Sequence, residues 1–354
     1  MDTNGFDAIL VGSFGGPEGM DDVMPFLRNV LRGRNVPEAR MIEVSHHYEQ
    51  FGGVSPINEQ NREFIAALEV ELAKRGVDLP VYFGNRNWEP FFGDVIEEMK
   101  GKGQKKVLTW LTSAFSCYSG CRQYRENITE AAEKISFEDF QSHKIRVFYN
   151  HPKFIEVQTL RAQDALNELP EELRDDAHFV FTAHSIPISM AQGARYEAQL
   201  NEASRLVAEA MDREKFSLVY QSRSGAPHVP WLEPDVCDYI EELKGKDEKA
   251  VVIIPIGFVS DHMEVLFDLD TEAREACEEN GIAFARAKAP GAHPVYIDMA
   301  ADLIIERMTG SVQKPSLGTH GPSHDVCPVS CCPSGRPAGG GRPPVAAAGG
   351  RPTS

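Results

Sequence analysis

Two stretches of the chain hold groups that can move protons or bind a metal. His184 closes the apolar run Phe179–Ala183 and is held in a loop by Pro187. Histidine titrates near neutrality, so its neutral form accepts a proton or ligates a metal. Further along, Glu264, Asp268 and Glu272 recur every four residues, which on a helix puts their carboxylates along one face. Leu266, Leu269 and Ala273 supply the packing side. Like charges spaced this closely raise one another's pKa, as a proton relay or a path for a divalent cation requires. Taken singly, each also reads as ordinary structure, a hydrogen-bonded histidine and a solvated acidic face. A third set is sulfur. Cys117 and Cys121 share one short segment, and Cys327, Cys331 and Cys332 lie together near the C-terminus, while Cys237 and Cys277 are isolated and read as buried thiols. Seven cysteines make an odd count, which argues against a disulfide framework.

For His184 and the carboxylates to act together, the fold must bring strand ends to one place. Strands are predicted at Phe6–Val11, Val81–Phe83, Val107–Leu111 and Ile145–Tyr149, and again at Phe179–Ala183, Leu218–Tyr220, Val251–Pro255 and Ala283–Arg286. Amphipathic stretches lie between them, at Glu63–Lys74, Asp94–Met99, Arg125–Ala132, Ala194–Met211 and Ala300–Met308. Alternation of this kind gives an α/β fold, with parallel sheets covered by helices on both faces. Four strands followed by four more imply two similar, doubly wound, Rossmann-like halves. Ligands of such sheets bind beyond the carboxyl ends of the strands. That nominates Ser13–Pro17, Gly84–Pro90, Thr112–Ser116, His184–Pro187 and Gly257–Glu264. The turn at Ser13–Pro17 is not a dinucleotide fingerprint, and no phosphate-binding P-loop occurs, so nucleotide binding has little support.

The chain has 354 residues, with 36 Lys+Arg against 53 Asp+Glu and a formal net charge of −17. The length allows about two domains: halves over residues 1–150 and 151–310, then a Pro/Gly-rich tail over 311–354. That tail holds eight prolines and eight glycines, too little apolar surface to offset ordering entropy, so its last ~20 residues are expected to be flexible. The acidic balance disfavours nucleic acid as a partner. No transmembrane stretch or secretory signal is legible, and a cytoplasmic protein is expected. Any anionic ligand needs a local basic patch. Arg32, Arg34, Arg86, Arg122, Arg125 and Arg223 fall in or near strand-end loops.

Phe181-Thr182-Ala183-His184-Ser185-Ile186-Pro187, with Gly257–Glu264 and Asp268, resembles the paired signatures of the ferrochelatases, which insert Fe2+ into a porphyrin. Ser13–Pro17, Phe51–Ile57, Gly84–Pro90, Gln221-Ser222-Arg223 and Pro230-Trp231-Leu232 match as well, so the resemblance spans about residues 6–310. It implies two four-stranded chelatase halves with the porphyrin in the cleft between them. His184 and Glu264 would engage iron and pyrrole protons from opposite sides of the macrocycle, with Asp268 and Glu272 as a proton or cation relay. Substrate contacts implied are Ser55, Tyr124, Arg86, Asn87, Tyr48, Trp231 and Phe14, the last in place of a tyrosine that ligates haem iron in some bacterial relatives.

The style of Phe83–Trp88 and Ser116–Cys121 is closest to the actinobacterial type, which implies coproporphyrin III as substrate. Protoporphyrin IX is the alternative, and a non-catalytic haem- or porphyrin-binding protein the reading from another class. Some family members carry a [2Fe–2S] cluster on one internal and three C-terminal cysteines. Here those would be Cys327, Cys331 and Cys332 with Cys121 or Cys117, and a four-thiolate zinc site is the rival. A monomer is expected, with a homodimer as the alternative.

Overall fold

A computed structural model of the chain describes residues 1–33 and 36–335. Arg34 and the expected flexibility of the last ~20 residues fall outside the described residues. Eight strands form two four-stranded parallel sheets. The first holds β1 (Ala8–Ser13), β2 (Val81–Asn85), β3 (Lys106–Leu111) and β4 (Gln141–Lys144) in the order β2-β1-β3-β4. The second holds β5 (His178–His184), β6 (Phe216–Gln221), β7 (Ala250–Ile254) and β8 (Ala283–Arg286) in the order β6-β5-β7-β8. The two orders are the same, so the pseudo-repeat is one of topology. The central strands β1, β5 and β7 are buried along nearly their whole length, as strands of a parallel sheet covered on both faces must be.

The core is continuous across the two halves. Phe64, Trp110 and Phe148 from the first half meet Tyr296 from the second, with Trp110 stacked on Phe148 at 4.8 Å between centroids. The helix Pro294–Thr309 packs back on Ile57–Lys74 and Pro152–Leu166. Arg75 and Lys153 clamp it through Asp302, at 2.6 and 2.5 Å.

One predicted strand is displaced. Ile145–Tyr149 is not β4; the ladder runs through the polar Gln141–Lys144, and Ile145 onward leaves the sheet. Ile145, Val147, Phe148 and Tyr149 are apolar because they fill the core, while the strand beside β3 is an edge strand and tolerates polar side chains. Several helices went unread, among them Met20–Val30, Glu38–Glu49, Pro152–Leu166 and Val236–Gly245. The first two form an arm outside both sheets. Val23, Phe26 and Leu27 on it pack with Tyr48 and with Met263 from the second half.

Beyond the last helix the chain lies over the junction of the halves. Leu317 N–H donates to the Asn150 carbonyl at 2.8 Å, Arg146 donates to the Pro315 carbonyl at 3.1 Å, and Thr319 N–H donates to Glu202 at 2.6 Å.

Candidate active site

The carboxyl ends of β5 and β7 make the centre of the site. His184 is the last residue of β5, and the loop leaving β7 comes back against that strand at Gly257. A Cβ on Gly257 would lie 2.6 Å from the Ala183 Cβ, so only glycine permits this approach. Asp261 then anchors the loop through Arg286 at 2.8 Å, and its N–H donates to Gln60 of the first half at 2.9 Å. Glu264 emerges with Oε2 3.7 Å from His184 Nε2 and 3.9 Å from His262 Nδ1.

The two side chains stand side by side in this structure; a flat ring between them, as the resemblance implied, would need two contact distances of about 3.5–4.0 Å, hence about 7 Å or more. Nδ1 of His184 is held against the Ser185 carbonyl. A carbonyl only accepts, so Nδ1 carries a proton there, and Nε2 faces Glu264 and the cleft.

Behind Glu264 the chain winds as a π-helix over Leu266–Ala273. Its wider turn brings residues four apart nearer to one line than an α-helix does. Asp268 is half-buried there, accepts hydrogen bonds from Ser222 Oγ and from Gln221 Nε2 (3.2 Å for the latter), and has its carboxyl pushed up to about 8. Burial is the main cause, aided by the negative charges of Glu264 and Glu272 and opposed by the two hydrogen bonds. Glu272 is also raised, by burial first and then by Asp235 and Glu275. Gln221 and Ser222, which cradle Asp268, and His262 were not among the expected site residues. Gln221 closes β6 and Ser222 follows it, so the strand-end rule that found His184 applies to them equally.

Of the remaining expected residues, Arg86, Tyr124, Phe14 and Asn87 come together: the Arg86 guanidinium lies 4.9 Å from the Tyr124 ring centre and 5.6 Å from that of Phe14. Arg86 Nε donates to Asn127 at 2.9 Å, and Asn87 N–H donates to the Phe14 carbonyl at 3.1 Å. Ser55 is buried against the Ser13–Pro17 turn, where a Cβ on Gly16 would lie 2.6 Å from it. Tyr48 is buried beside Met263, and burial followed by the Glu264 charge raises its hydroxyl pKa. Trp231 is a brace. It bridges to Pro187 and abuts Gly225, while its neighbour Leu232 accepts from Ser185 Oγ at 2.7 Å. Arg122 is committed to Glu126 at 2.8 Å.

The cysteines separate cleanly. Cys121 packs with Cys327 and Cys331, and Cys331 Sγ lies 3.5 Å from Cys332 Sγ. Cys117 turns away and accepts from Gly120 N–H at 3.2 Å within its own turn. Hydrogen bonding by Cys327 and Cys332 holds the Cys121 thiol well below its usual range, with Lys144 and Arg125 adding positive charge nearby. Ligand atoms of His324, Cys327 and Cys331 all lie within 4.8 Å of one another. Four converging sulfurs suit a metal group that takes thiolates.

The Ferrochelatase family profile matches residues 6–308. A protein named Ferrochelatase in Rhodopirellula baltica is 53% identical over 345 residues, covering 96% of this chain and 97% of that one. The Coproporphyrin III ferrochelatase of Streptomyces coelicolor is 49% identical over 360 residues, covering 95% and 96%. Among solved structures, SirB from Bacillus subtilis with Fe3+ superposes with a TM-score of 0.54 at 13% identity over 86% of this chain and 96% of that chain, a likeness of fold alone.

Proposed function

The chain belongs to the ferrochelatase family, and on that premise we propose that this porphyrin metal chelatase, a lyase of haem biosynthesis, acts on coproporphyrin III to give Fe-coproporphyrin III. Relatives at 45–50% identity carry the coproporphyrin name, which supports this substrate over protoporphyrin IX. Insertion exchanges one Fe2+ for two pyrrole N–H protons, so the site must accept two protons and present one cation.

The observation that carries the reading is the His184–Glu264 pair, 3.7 Å apart at two abutting strand ends, with the raised carboxyl of Asp268 behind it. Nε2 of His184 takes a pyrrole proton or meets the iron. Glu264 does the complementary job, and protons leave through Asp268 and Glu272. Arg86 pairs with a propionate at the far wall, where Tyr124, Phe14, Asn87, Ser55 and Tyr48 contact the ring. Trp231 acts by bracing the segment after His184. In this reading residues 1–150 and 151–310 are the two halves enclosing the porphyrin, within one copy of the chain.

Cys121, Cys327, Cys331 and Cys332 would hold the [2Fe–2S] group, with Cys117 outside it. When bound, such a group supplies a one-electron centre and a cross-link between tail and fold. Free thiols accord with a reducing, cytoplasmic setting.

Side-by-side anaerobic turnover with coproporphyrin III and protoporphyrin IX tests the substrate. At least tenfold higher kcat/KM with coproporphyrin III is expected, and the reverse order reassigns it.

A further inference from the structure

Two polar groups in the core between the halves lack a partner. The indole N–H of Trp110, on β3, and the hydroxyl of Tyr296, on the helix Pro294–Thr309, belong to residues 0% and 2% exposed, and neither finds a hydrogen-bond partner among the described residues. Groups of this kind are bonded in nearly every folded protein, because leaving them dry forfeits their hydration. The two rings meet edge to face, with centroids 6.0 Å apart and planes inclined by 75°, and both line one small cavity. Its room for the centre of a water molecule is about 10 Å³, which matches the need of one water and falls far below that of a metabolite. The rest of the wall comes from both halves. Asn61 and Thr112 stand on the first-half side, tied through Ser13: Asn61 Nδ2 and Thr112 Oγ1 donate to Ser13 Oγ at 2.9 and 3.2 Å. Ser260 stands on the second-half side, in the loop that presents Glu264, and the N–H of its neighbour Asp261 donates to Gln60, another wall residue, at 2.9 Å. Cavities lined by hydrocarbon stay dry, whereas polar ones hold ordered water that makes about three hydrogen bonds.

We propose that this cavity is a binding site for one fixed water, held by the Trp110 indole N–H and the Tyr296 hydroxyl. The indole can only donate, so the water accepts from it. The phenol bonds the water in either sense, and the water's remaining bond goes to the polar wall of Asn61, Thr112 and Ser260. Bound there, the water joins β3 of the first half to the last helix and the Glu264 loop of the second, and adds a polar contact to the aromatic one. It acts on the junction beneath the site, without touching porphyrin or iron. The assignment stands whichever porphyrin is the substrate and whatever the tail cysteines hold.

The experiment is nuclear magnetic resonance of the full-length protein, labelled with ¹⁵N in its tryptophan indoles. The chain has three tryptophans, Trp88, Trp110 and Trp231. Trp88→Phe and Trp231→Phe therefore assign the Trp110 signal by elimination and leave Trp110 in place. A cross-peak between the Trp110 N–H and water is expected, of opposite sign in nuclear and rotating-frame Overhauser spectra, because a long-held water relaxes as part of the protein. Its absence overturns the proposal. The second measurement is the urea midpoint of Tyr296→Phe, which keeps the ring and deletes the hydroxyl. Removing a hydroxyl that bonds a water costs stability, so the midpoint should fall, by about 0.3 M. Removing an orphan hydroxyl relieves a desolvation penalty instead, so a midpoint that is unchanged or raised overturns the proposal.

Discussion

The imidazole of His47 lies flat on the ring of Phe267, with centroids 3.8 Å apart and planes inclined by 10°. His47 belongs to the arm of the first half, and Phe267 to the π-helix that carries Asp268. This stack therefore ties the arm across the cleft, beside the Tyr48–Met263 contact. An aromatic pair adds about 0.5–1.5 kcal/mol beyond its buried area, enough to set how often the arm opens. Phe267→Ala is predicted to speed porphyrin dissociation by about threefold to tenfold in stopped-flow fluorescence, with kcat changed less than KM. An unchanged dissociation rate would remove the arm from the binding step.

His184→Ala should abolish insertion while porphyrin still binds, because the Arg86–Tyr124 wall is untouched. General-base groups contribute about 10²–10⁴-fold, so kcat should fall by at least about 100-fold. Soret titration checks binding, and anaerobic Fe2+ turnover checks rate. Turnover near wild type would show that another group takes the protons.

Asp268 trades stability for chemistry. Its folded pKa of about 8 exceeds the usual carboxylate value, so the folded state holds a proton that the unfolded state releases, and stability declines as pH rises from about 4 to about 8. Asp268→Asn should remove that decline, raising unfolding free energy at pH 9 by about 2–5 kcal/mol at roughly 1.4 kcal/mol per pH unit. Insertion should slow about tenfold or more. Urea denaturation across pH and a kcat profile on the same protein decide it; a variant no more stable at pH 9 would count against the raised-carboxyl account.

His151 works in the opposite direction. It is 2% exposed, its Nδ1 accepts from Lys153 N–H to cap the helix Pro152–Leu166, and its pKa is pulled down to about 4, mainly by burial with help from the Arg146 charge. Between about pH 6.5 and 4 the unfolded state binds a proton that the folded state refuses, so stability falls as the solution is acidified through that window. Its share approaches about 3 kcal/mol. His151→Asn keeps a capping acceptor and should flatten this part of the acid slope, readable by urea midpoints at pH 4, 5, 6 and 7. An unchanged slope would assign the acid sensitivity elsewhere.

On the [2Fe–2S] reading, Cys121→Ser should remove two irons and the visible bands, whereas Cys117→Ser should keep both, because Cys117 is satisfied within its own turn. The tail that carries Cys327, Cys331 and Cys332 also touches the segment after His184: a Cβ on Gly193 would lie 2.6 Å from Pro333, and one on Gly335, at φ +71°, 2.7 Å from Met190 N. Gly335→Val should thus loosen the tail, with faster proteolysis beyond residue 310. Iron loss in Cys117→Ser and not in Cys121→Ser would exchange the two assignments.

Both sheets were legible because a strand covered on two faces must be an apolar run, and its length and flanking turns are local properties. The same reasoning misplaced β4, where the apolar run at Ile145–Tyr149 belongs to the core between halves and the ladder itself is polar. It also passed over the helix Met20–Val30, although Val23, Phe26, Leu27 and Val30 recur at helical spacing, because Pro25 interrupts that run. His184, Glu264 and Asp268 could be nominated from strand ends and four-residue spacing. Gln221 and Ser222, equally close to a strand end, carry no charge to draw notice.

The sequence by itself determined residue chemistry, the alternation of strands and helices, and the family, all of which are written in local patterns and motifs. Only the tertiary structure decided that His184 Nε2 and Glu264 Oε2 stand 3.7 Å apart, and that Cys121 and not Cys117 packs with the tail sulfurs. Those facts depend on how distant segments approach one another, and spacing along a chain does not encode distance across a fold.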